Sequence, residues 1–124
     1  MHRILVIDDE PAIRGLLRDI LEPAGYEVME AHNGNAGIAL HQRHPADLIV
    51  TDILMPEKEG IETILELRGR FPAVKILAMS GGGNRGNLQP LRDATLFGAL
   101  RAISKPFQTD EVLLAVQAAL EKEE

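Results

Sequence analysis

The sequence contains no cysteine. Disulfide bonds and thiol chemistry are therefore excluded, and the redox conditions in which the protein works stay open. It also contains no apolar run near the roughly 20 residues that cross a membrane, and its amino terminus lacks the length and cleavage site of a secretory signal. We therefore expect a cytoplasmic protein with no membrane partner.

Basic residues are in the minority, with 13 Lys and Arg against 19 Asp and Glu and a formal net charge of −6. This balance argues against a nucleic-acid-binding surface, which would need clustered cations. Apolar residues make up 45% of the chain, which is ordinary for a globular protein. No repeat or low-complexity linker divides the 124 residues, so we expect one freestanding domain over residues 1–124.

The most informative stretch is residues 48–56, Leu-Ile-Val-Thr-Asp-Ile-Leu-Met-Pro. Three consecutive apolar residues, two of them β-branched, predict a strand that is buried on both faces. The run ends in Asp52, and Pro56 and Gly60 then close the segment. An isolated Asp at such a point is more often a turn former or helix cap, so the rest of the chain must decide its role.

Short apolar runs alternate with segments of helical periodicity along the whole chain. Alternation of this kind requires parallel strands joined by right-handed crossovers. The sequence therefore predicts a doubly wound, three-layer α/β/α domain. Its predicted strands are residues 4–7, 26–31, 48–52, 74–80 and 100–104, and its predicted helices are 11–21, 36–43, 61–71, 90–97 and a last one capped by Thr109 or Asp110.

Polar or charged residues follow four of the five predicted strands. Asp8 and Asp9 follow the first, Asp52 ends the third, Ser80 ends the fourth and Lys105 follows the fifth. In an open α/β sheet, ligands bind outside the carboxyl ends of the strands. We therefore expect these side chains to form one site.

The chemistry of this set points to phosphoryl transfer. Clustered carboxylates repel one another and demand a counter-charge, and an all-oxygen ligand set favours Mg²⁺ over Zn²⁺. Lys105 adds a positive charge and Ser80 a hydroxyl donor, which together with a metal can hold a phosphoryl group. Asp is also a competent nucleophile that forms an aspartyl phosphate.

At these residues the chain resembles the receiver domains of two-component response regulators, in particular the chemotaxis regulators. The resemblance covers essentially the whole chain and implies a flavodoxin-like sheet of order 2-1-3-4-5, in which Asp8, Asp9 and Asp52 meet. The matching segments are residues 6–10, 51–56, Gly60, 79–81 and 104–107.

By this resemblance, Asp52 takes a phosphoryl group from a phosphohistidine on a sensor histidine kinase or a histidine phosphotransfer protein. The resemblance also implies that Asp9, Asp52 and the backbone carbonyl of Leu54 bind Mg²⁺, with Asp8 acting largely through water. The protein would then be a switch that catalyses only its own phosphorylation and dephosphorylation, and a downstream protein target would receive the signal.

The remaining implied roles concern the last two strands. Ser80 would bond the phosphoryl oxygen, and Lys105 would pair first with the carboxylate and then with the phosphate. The resemblance also implies a cis Lys105–Pro106 peptide bond, which is otherwise found in only about 5–6% of such bonds.

The chain departs from the family pattern at two places. Receivers usually carry an aromatic residue where this chain has Ala102, and a methyl group has no rotamer to switch. We therefore predict that phosphorylation moves the backbone of residues 81–97 while the fifth strand stays nearly still. By the resemblance, Leu54 and Gly82 would lie beside the path of attacking water, and the sequence leaves the lifetime of the phosphate open.

Two other classes of function compete with this interpretation. A phosphatase-like hydrolase would also use an Asp nucleophile and Mg²⁺, but it should carry a second acid where this chain has Leu54, and room for a cap domain. An interaction module that ignores phosphate is favoured by Ala102 and opposed by the full set of Asp, Ser and Lys.

Two further motifs have ordinary explanations. The glycines between Gly81 and Gly86 are not followed by the Lys and Ser or Thr of a phosphate-binding loop. His41 and His44 share a predicted helix face without a further ligand, so we expect both to be surface histidines.

Overall fold

The computed structural model describes residues 1–53, 60–80, 101–104 and 107–121. Within these ranges five strands and four helices follow one another in the predicted order. The strands are β1 (Arg3–Ile7), β2 (Glu27–Ala31), β3 (Leu48–Asp52), β4 (Ile76–Ser80) and β5 (Arg101–Ser104), and the helices are α1 (Pro11–Leu21), α2 (Gly34–Arg43), α3 (Gly60–Arg70) and α4 (Thr109–Glu121). The predicted helix at 90–97 and the glycine-rich segment 81–87 lie outside the described residues.

The five strands form one sheet in the order β2-β1-β3-β4-β5. All four pairings are parallel, so the carboxyl ends of the strands lie at one edge of the sheet. This order confirms the predicted fold, and it makes β1 and β3 neighbours. Ile7 at the end of β1 pairs with Thr51 of β3 on one side and with Ala31 of β2 on the other.

Helices cover both faces of the sheet, because side chains of the central strands alternate between two separate cores. Ile4 and Val6 pack in one core with residues of α1 and α4, and Leu5 and Ile7 pack in the other with residues of α2 and α3. All four side chains are fully buried. The layers are therefore α/β/α, as the continuous apolar runs predicted.

Both ends of α1 are marked by residues with restricted or unusual backbone conformations. Pro11 occupies the first turn, where its missing N–H is no loss. At the other end Gly25 adopts a φ of +98°, a conformation that favours glycine. The backbone N–H of Tyr26 then donates to the carbonyl of Leu21 at 3.2 Å, and the chain turns back into β2.

The other three helices start one or two residues from the predicted positions, and α3 begins at Gly60 instead of residue 61. Helix α2 begins at Gly34 and not at Ala36, because the Asn33 side chain accepts a hydrogen bond from the Ala36 N–H at 2.8 Å and so caps the helix. Helix α4 has Thr109 as its first helical residue. Its first backbone bond runs from Val112 N to the carbonyl of Gln108, so neither predicted residue is the cap.

Strand β4 begins at Ile76, later than the predicted Val74. The N–H of Val74 instead donates to the carbonyl of Phe71 at 2.9 Å, and its own carbonyl accepts from Arg68 at 2.7 Å. These bonds hold Val74 in the turn that precedes the strand.

Two leucines on the helices are substantially exposed, namely Leu16 at 43% and Leu65 at 47%. Their neighbours Leu17 and Ile64 are fully buried, so the buried apolar stripes of α1 and α3 are narrow. None of the helices described is both long and apolar enough to cross a membrane.

Candidate functional site

Asp8 is the first residue after β1, and hydrogen bonds hold it in place. Its side chain is buried, its backbone N–H donates to the carbonyl of Ala31 at 3.1 Å, and its Oδ1 accepts from the N–H of Glu10 at 2.9 Å. A guanidinium N–H of Arg14 donates to its backbone carbonyl at 2.7 Å. These contacts hold both the carboxylate and the main chain of Asp8.

Three consecutive acids meet at this strand end. One carboxylate oxygen from each of Asp8, Asp9 and Glu10 lies within 4.8 Å of the others, with Asp8 buried and the other two exposed. Oxygen atoms at this spacing are the ligands that hard divalent cations prefer. Prediction from the sequence assigned metal binding to Asp8 and Asp9 but not to Glu10, although the run of three acids after a strand could have indicated all three.

Asp52 ends the neighbouring strand and is also buried, with 5% of its surface exposed. The pairing of Ile7 with Thr51 places Asp8 and Asp52 next to each other at the ends of adjacent strands, which lie about 4.8 Å apart. Among the described residues, Asp52 is not part of the close group of three acids. The register therefore brings the predicted carboxylates to one edge, with the tightest grouping inside residues 8–10.

The other predicted site residues are only partly within the described chain. Ser80 is the last residue of β4 and pairs with Ser104, the last residue of β5, so both backbones end at the same edge as Asp52. Ala102 pairs with Ala78 in the middle of these strands. Leu54 and Lys105, with the Lys105–Pro106 bond, lie outside the described residues, and their roles stay predictions.

Gly60 supports the end of β3 through a close backbone approach. Its N–H donates to the carbonyl of Ile53 at 3.0 Å. A Cβ atom at this position would overlap Cα of Ile53 and the carbonyl of Asp52. The first turn of α3 thus packs directly on the backbone that carries Asp52, which is possible only for glycine.

The prediction that His41 and His44 both lie at the surface was wrong for His41. Its side chain is buried, its Nδ1 accepts from the N–H of Ala46 at 3.0 Å, and its ring meets the ring of Phe71 edge-on at 4.6 Å. Burial lowers the pKa of His41, so the acceptor nitrogen stays unprotonated. His44 is exposed, as predicted.

A cavity of about 550 Å³ lies at the amino ends of the strands and is lined by His41, Asp47, Lys75 and other residues. Its lining mixes opposite charges with apolar groups and does not include the acids at the strand ends. We therefore locate the candidate site by the chemistry of the carboxyl ends and not by the size of this cavity.

The family of the chain follows from comparison with known proteins. The sequence model of one protein family, the response regulator receiver domain, matches residues 4–117. The chain belongs to the response regulator receiver family. The match includes both strand ends that carry the acids, and the sheet order observed here is the one expected of such a domain.

Curated relatives of this receiver domain include single receivers and longer regulators. It is 38% identical over 120 residues to the chemotaxis protein CheY of Bacillus subtilis, a match that covers 96% of this chain and 98% of that protein. It is 31% identical over 122 residues to the transcriptional regulatory protein CpxR of Klebsiella pneumoniae, covering 98% of this chain but 50% of CpxR.

Solved structures show the same architecture. The receiver domain of NtrX from Brucella abortus superimposes with a TM-score of 0.91 at 30% identity, covering 97% of this chain and 99% of that one. Chemotaxis protein CheY4 of Vibrio cholerae gives a TM-score of 0.86 at 27% identity, covering 96% of this chain and 98% of that one.

Proposed function

We propose that this receiver domain is a phosphorylation-controlled switch in which Asp52 accepts a phosphoryl group. The donor is a phosphohistidine on a sensor histidine kinase or on a histidine phosphotransfer protein. The observation that carries the proposal is the position of Asp52: a buried carboxylate at the end of β3, beside the strand that presents Asp8, Asp9 and Glu10 within 4.8 Å of one another.

The residues at this edge fit a magnesium ion, because the clustered acids offer carboxylate oxygens and carry an excess of negative charge. Asp9, Asp52 and the backbone carbonyl of Leu54 would hold it, and Asp8 would act largely through water. When bound, Mg²⁺ supplies positive charge that offsets the repulsion between carboxylates and phosphoryl oxygens.

In the proposed reaction a carboxylate oxygen of Asp52 attacks phosphorus. The new O–P bond forms as the N–P bond of the phosphohistidine breaks, and the imidazole leaves with the electron pair and takes up a proton from solvent. Lys105 pairs with the carboxylate before transfer and with the phosphoryl group afterwards, and the Ser80 hydroxyl donates to a phosphoryl oxygen. The domain acts on no other substrate and catalyses only the gain and loss of its own phosphoryl group.

The signal passes from the phosphorylated domain to a downstream protein partner. Ala102 stands where an aromatic residue would respond to phosphorylation, so the response lies in backbone motion of residues 81–97. Hydrogen exchange with and without phosphorylation tests this part separately from the acceptor chemistry.

The acceptor assignment can be tested by incubating the protein with acetyl phosphate and Mg²⁺ and measuring its intact mass. The wild type should gain one phosphoryl group, and Asp52→Asn should gain none while keeping its fold, because the amide is not a nucleophile. Asp47→Asn, an acid replaced at the opposite end of the sheet, should be phosphorylated like the wild type. Phosphorylation of Asp52→Asn at the wild-type level would disprove the assignment.

A further inference from the structure

Arg14 joins three elements beside the candidate site. From α1 its Nη1 donates to the backbone carbonyl of Asp8 at 2.7 Å, and its Nε donates to Glu30 Oε1 on β2 at 3.1 Å. Only 17% of its side chain is exposed. The guanidinium therefore lies between the end of β1 and the neighbouring strand, where little water can replace its contacts.

Glu30 in turn holds the guanidinium in place. Its second oxygen, Oε2, accepts from Nε of Arg18 at 2.6 Å. Hydrogen bonds from Arg18 and then from Arg14 lower the pKa of Glu30, so this carboxylate is ionised at neutral pH. A planar guanidinium bound on two sides has a defined direction.

The carbonyl that Arg14 contacts belongs to the peptide unit between Asp8 and Asp9. Its direction fixes the backbone of both residues, and with it the directions in which their side chains leave the chain. The preceding peptide, between Ile7 and Asp8, is held separately by the bond from Asp8 N to the carbonyl of Ala31. The Asp8 carboxylate is further held by the Glu10 N–H.

We infer that Arg14 is a positioning residue for cation binding, which holds the Asp8–Asp9 peptide so that their carboxylates converge on one ion. The inference rests on the proposed function, since that function assigns Mg²⁺ to these acids. Groups that orient metal ligands without touching the metal typically contribute tenfold to a hundredfold to metal affinity.

The positioning role and the positive charge of Arg14 predict opposite changes in Mg²⁺ affinity when Arg14 is replaced. Arg14 is a cation near an acidic cluster, so Coulomb's law by itself predicts tighter Mg²⁺ binding when the charge is removed. Loss of positioning predicts weaker binding.

Arg18 is a matched control, because it lies one turn further along α1 and shares Glu30. Its described hydrogen bonds go to Glu30 and Glu22 and therefore do not hold the Asp8–Asp9 peptide.

The experiment measures the Mg²⁺ dissociation constant by titration calorimetry on unphosphorylated protein. Arg14→Gln should weaken binding by about tenfold or more. Arg14→Lys keeps the charge but cannot reproduce the two-sided contact, so it should also bind more weakly than wild type. Arg18→Gln should bind as tightly as wild type or slightly more tightly. Melting temperatures without Mg²⁺ confirm that each variant is folded, and Arg14→Lys provides the test if Arg14→Gln does not fold.

Equal affinities in the wild type and Arg14→Lys, or an equal loss in Arg14→Lys and Arg18→Gln, would overturn the positioning role and leave the proposed function intact. Absence of Mg²⁺ binding in the wild type itself would overturn both.

Discussion

The two ends of the sheet use charge in opposite ways. At the amino ends, charges meet opposite charges or backbone dipoles: Arg3 pairs with Glu27 at 3.0 Å and donates its N–H to Asp47 at 2.7 Å, and Lys75 donates to the carbonyl of Leu120 at 2.8 Å. At the carboxyl ends, three acids gather within 4.8 Å and Asp52 lies buried on the next strand.

This difference separates structural from functional use of charge. Exposed ion pairs contribute little to stability. Because their charges neutralise each other, they do not require a bound ion or ligand. Acids placed side by side repel and so favour a cation. The acid-rich end is therefore the one that we expect to bind a ligand, although the cavity of about 550 Å³ lies at the other end.

The largest expected effect is a loss of folding stability when Gly60, which packs against the backbone of the acid-rich end, is replaced. Gly60→Ala places a methyl group against the backbone of Asp52 and Ile53, which cannot move aside as a flexible side chain could. We expect a loss of about 3 kcal/mol in the free energy of unfolding, measured by urea denaturation.

Gly69, near the end of the same helix, is the control, because a Cβ there would meet nothing within 4 Å. Gly69→Ala should be neutral or stabilising by up to about 1 kcal/mol. Similar losses in both variants would show that the close approach of Gly60 is not what limits substitution.

The second effect is stabilisation by Mg²⁺, which tests which end of the sheet binds the cation. Mg²⁺ at about a hundredfold excess over its dissociation constant should stabilise the wild type by about 2.7 kcal/mol, and Asp9→Ala should lose most of that gain because it removes a ligand. Thermal unfolding with and without Mg²⁺ measures both.

Asp47→Ala removes an acid from the amino end. It should lower the melting temperature, because Asp47 accepts from the Arg3 N–H, yet keep the full increase with Mg²⁺. If the increase disappears in Asp47→Ala and persists in Asp9→Ala, the cation binds at the opposite end from the one we assign.

The smallest effect is the pH dependence of stability that arises from His41, the buried histidine at the amino end of the sheet. Because burial lowers the pKa of His41, the folded state binds fewer protons than the unfolded state. The resulting stability is complete above the ordinary histidine pKa of about 6.5 and is lost as the pH falls toward the lowered folded value.

His41→Asn keeps an acceptor for the Ala46 N–H but does not titrate. At about pH 7.5, above the ordinary histidine pKa, it should cost about 1 kcal/mol through loss of the edge-on contact with Phe71. Its stability should then fall less steeply than that of the wild type between about pH 7.5 and 5.5. His44→Asn, a change at an exposed site, should keep the wild-type slope, and an equal slope in His41→Asn would mean that another group titrates.

The features that could be predicted from the sequence are those with a short-range signal. A continuous apolar run such as residues 48–50 identifies a strand buried on both faces, and an acid directly after it identifies the end at which a site can form. Alternation of strands and helices then determines the layers. The resemblance to receivers supplied the strand order, which the sheet confirms.

The features that were missed depend on contacts between distant parts of the chain. Burial of His41 requires Phe71, which comes 30 residues later in the sequence. Arg14 has the spacing of any exposed helix residue, and its contact with the Asp8 carbonyl exists only once α1 packs beside β1. The close approach of Gly60 to Asp52 likewise arises from the packing of α3 and not from local sequence.

The central claim is that the cation binds at the carboxyl ends of the strands and not at the amino ends. The most direct test follows each residue separately. Amide NMR spectra of ¹⁵N-labelled protein would be recorded during titration with Mg²⁺ and then after addition of acetyl phosphate. We predict the largest shift changes from Mg²⁺ at Asp8, Asp9, Glu10 and Asp52, with the amides of Arg3 and the residues around His41 nearly unchanged. Mg²⁺-dependent changes centred on the amino ends of the strands, or spread equally over both ends, would contradict the account.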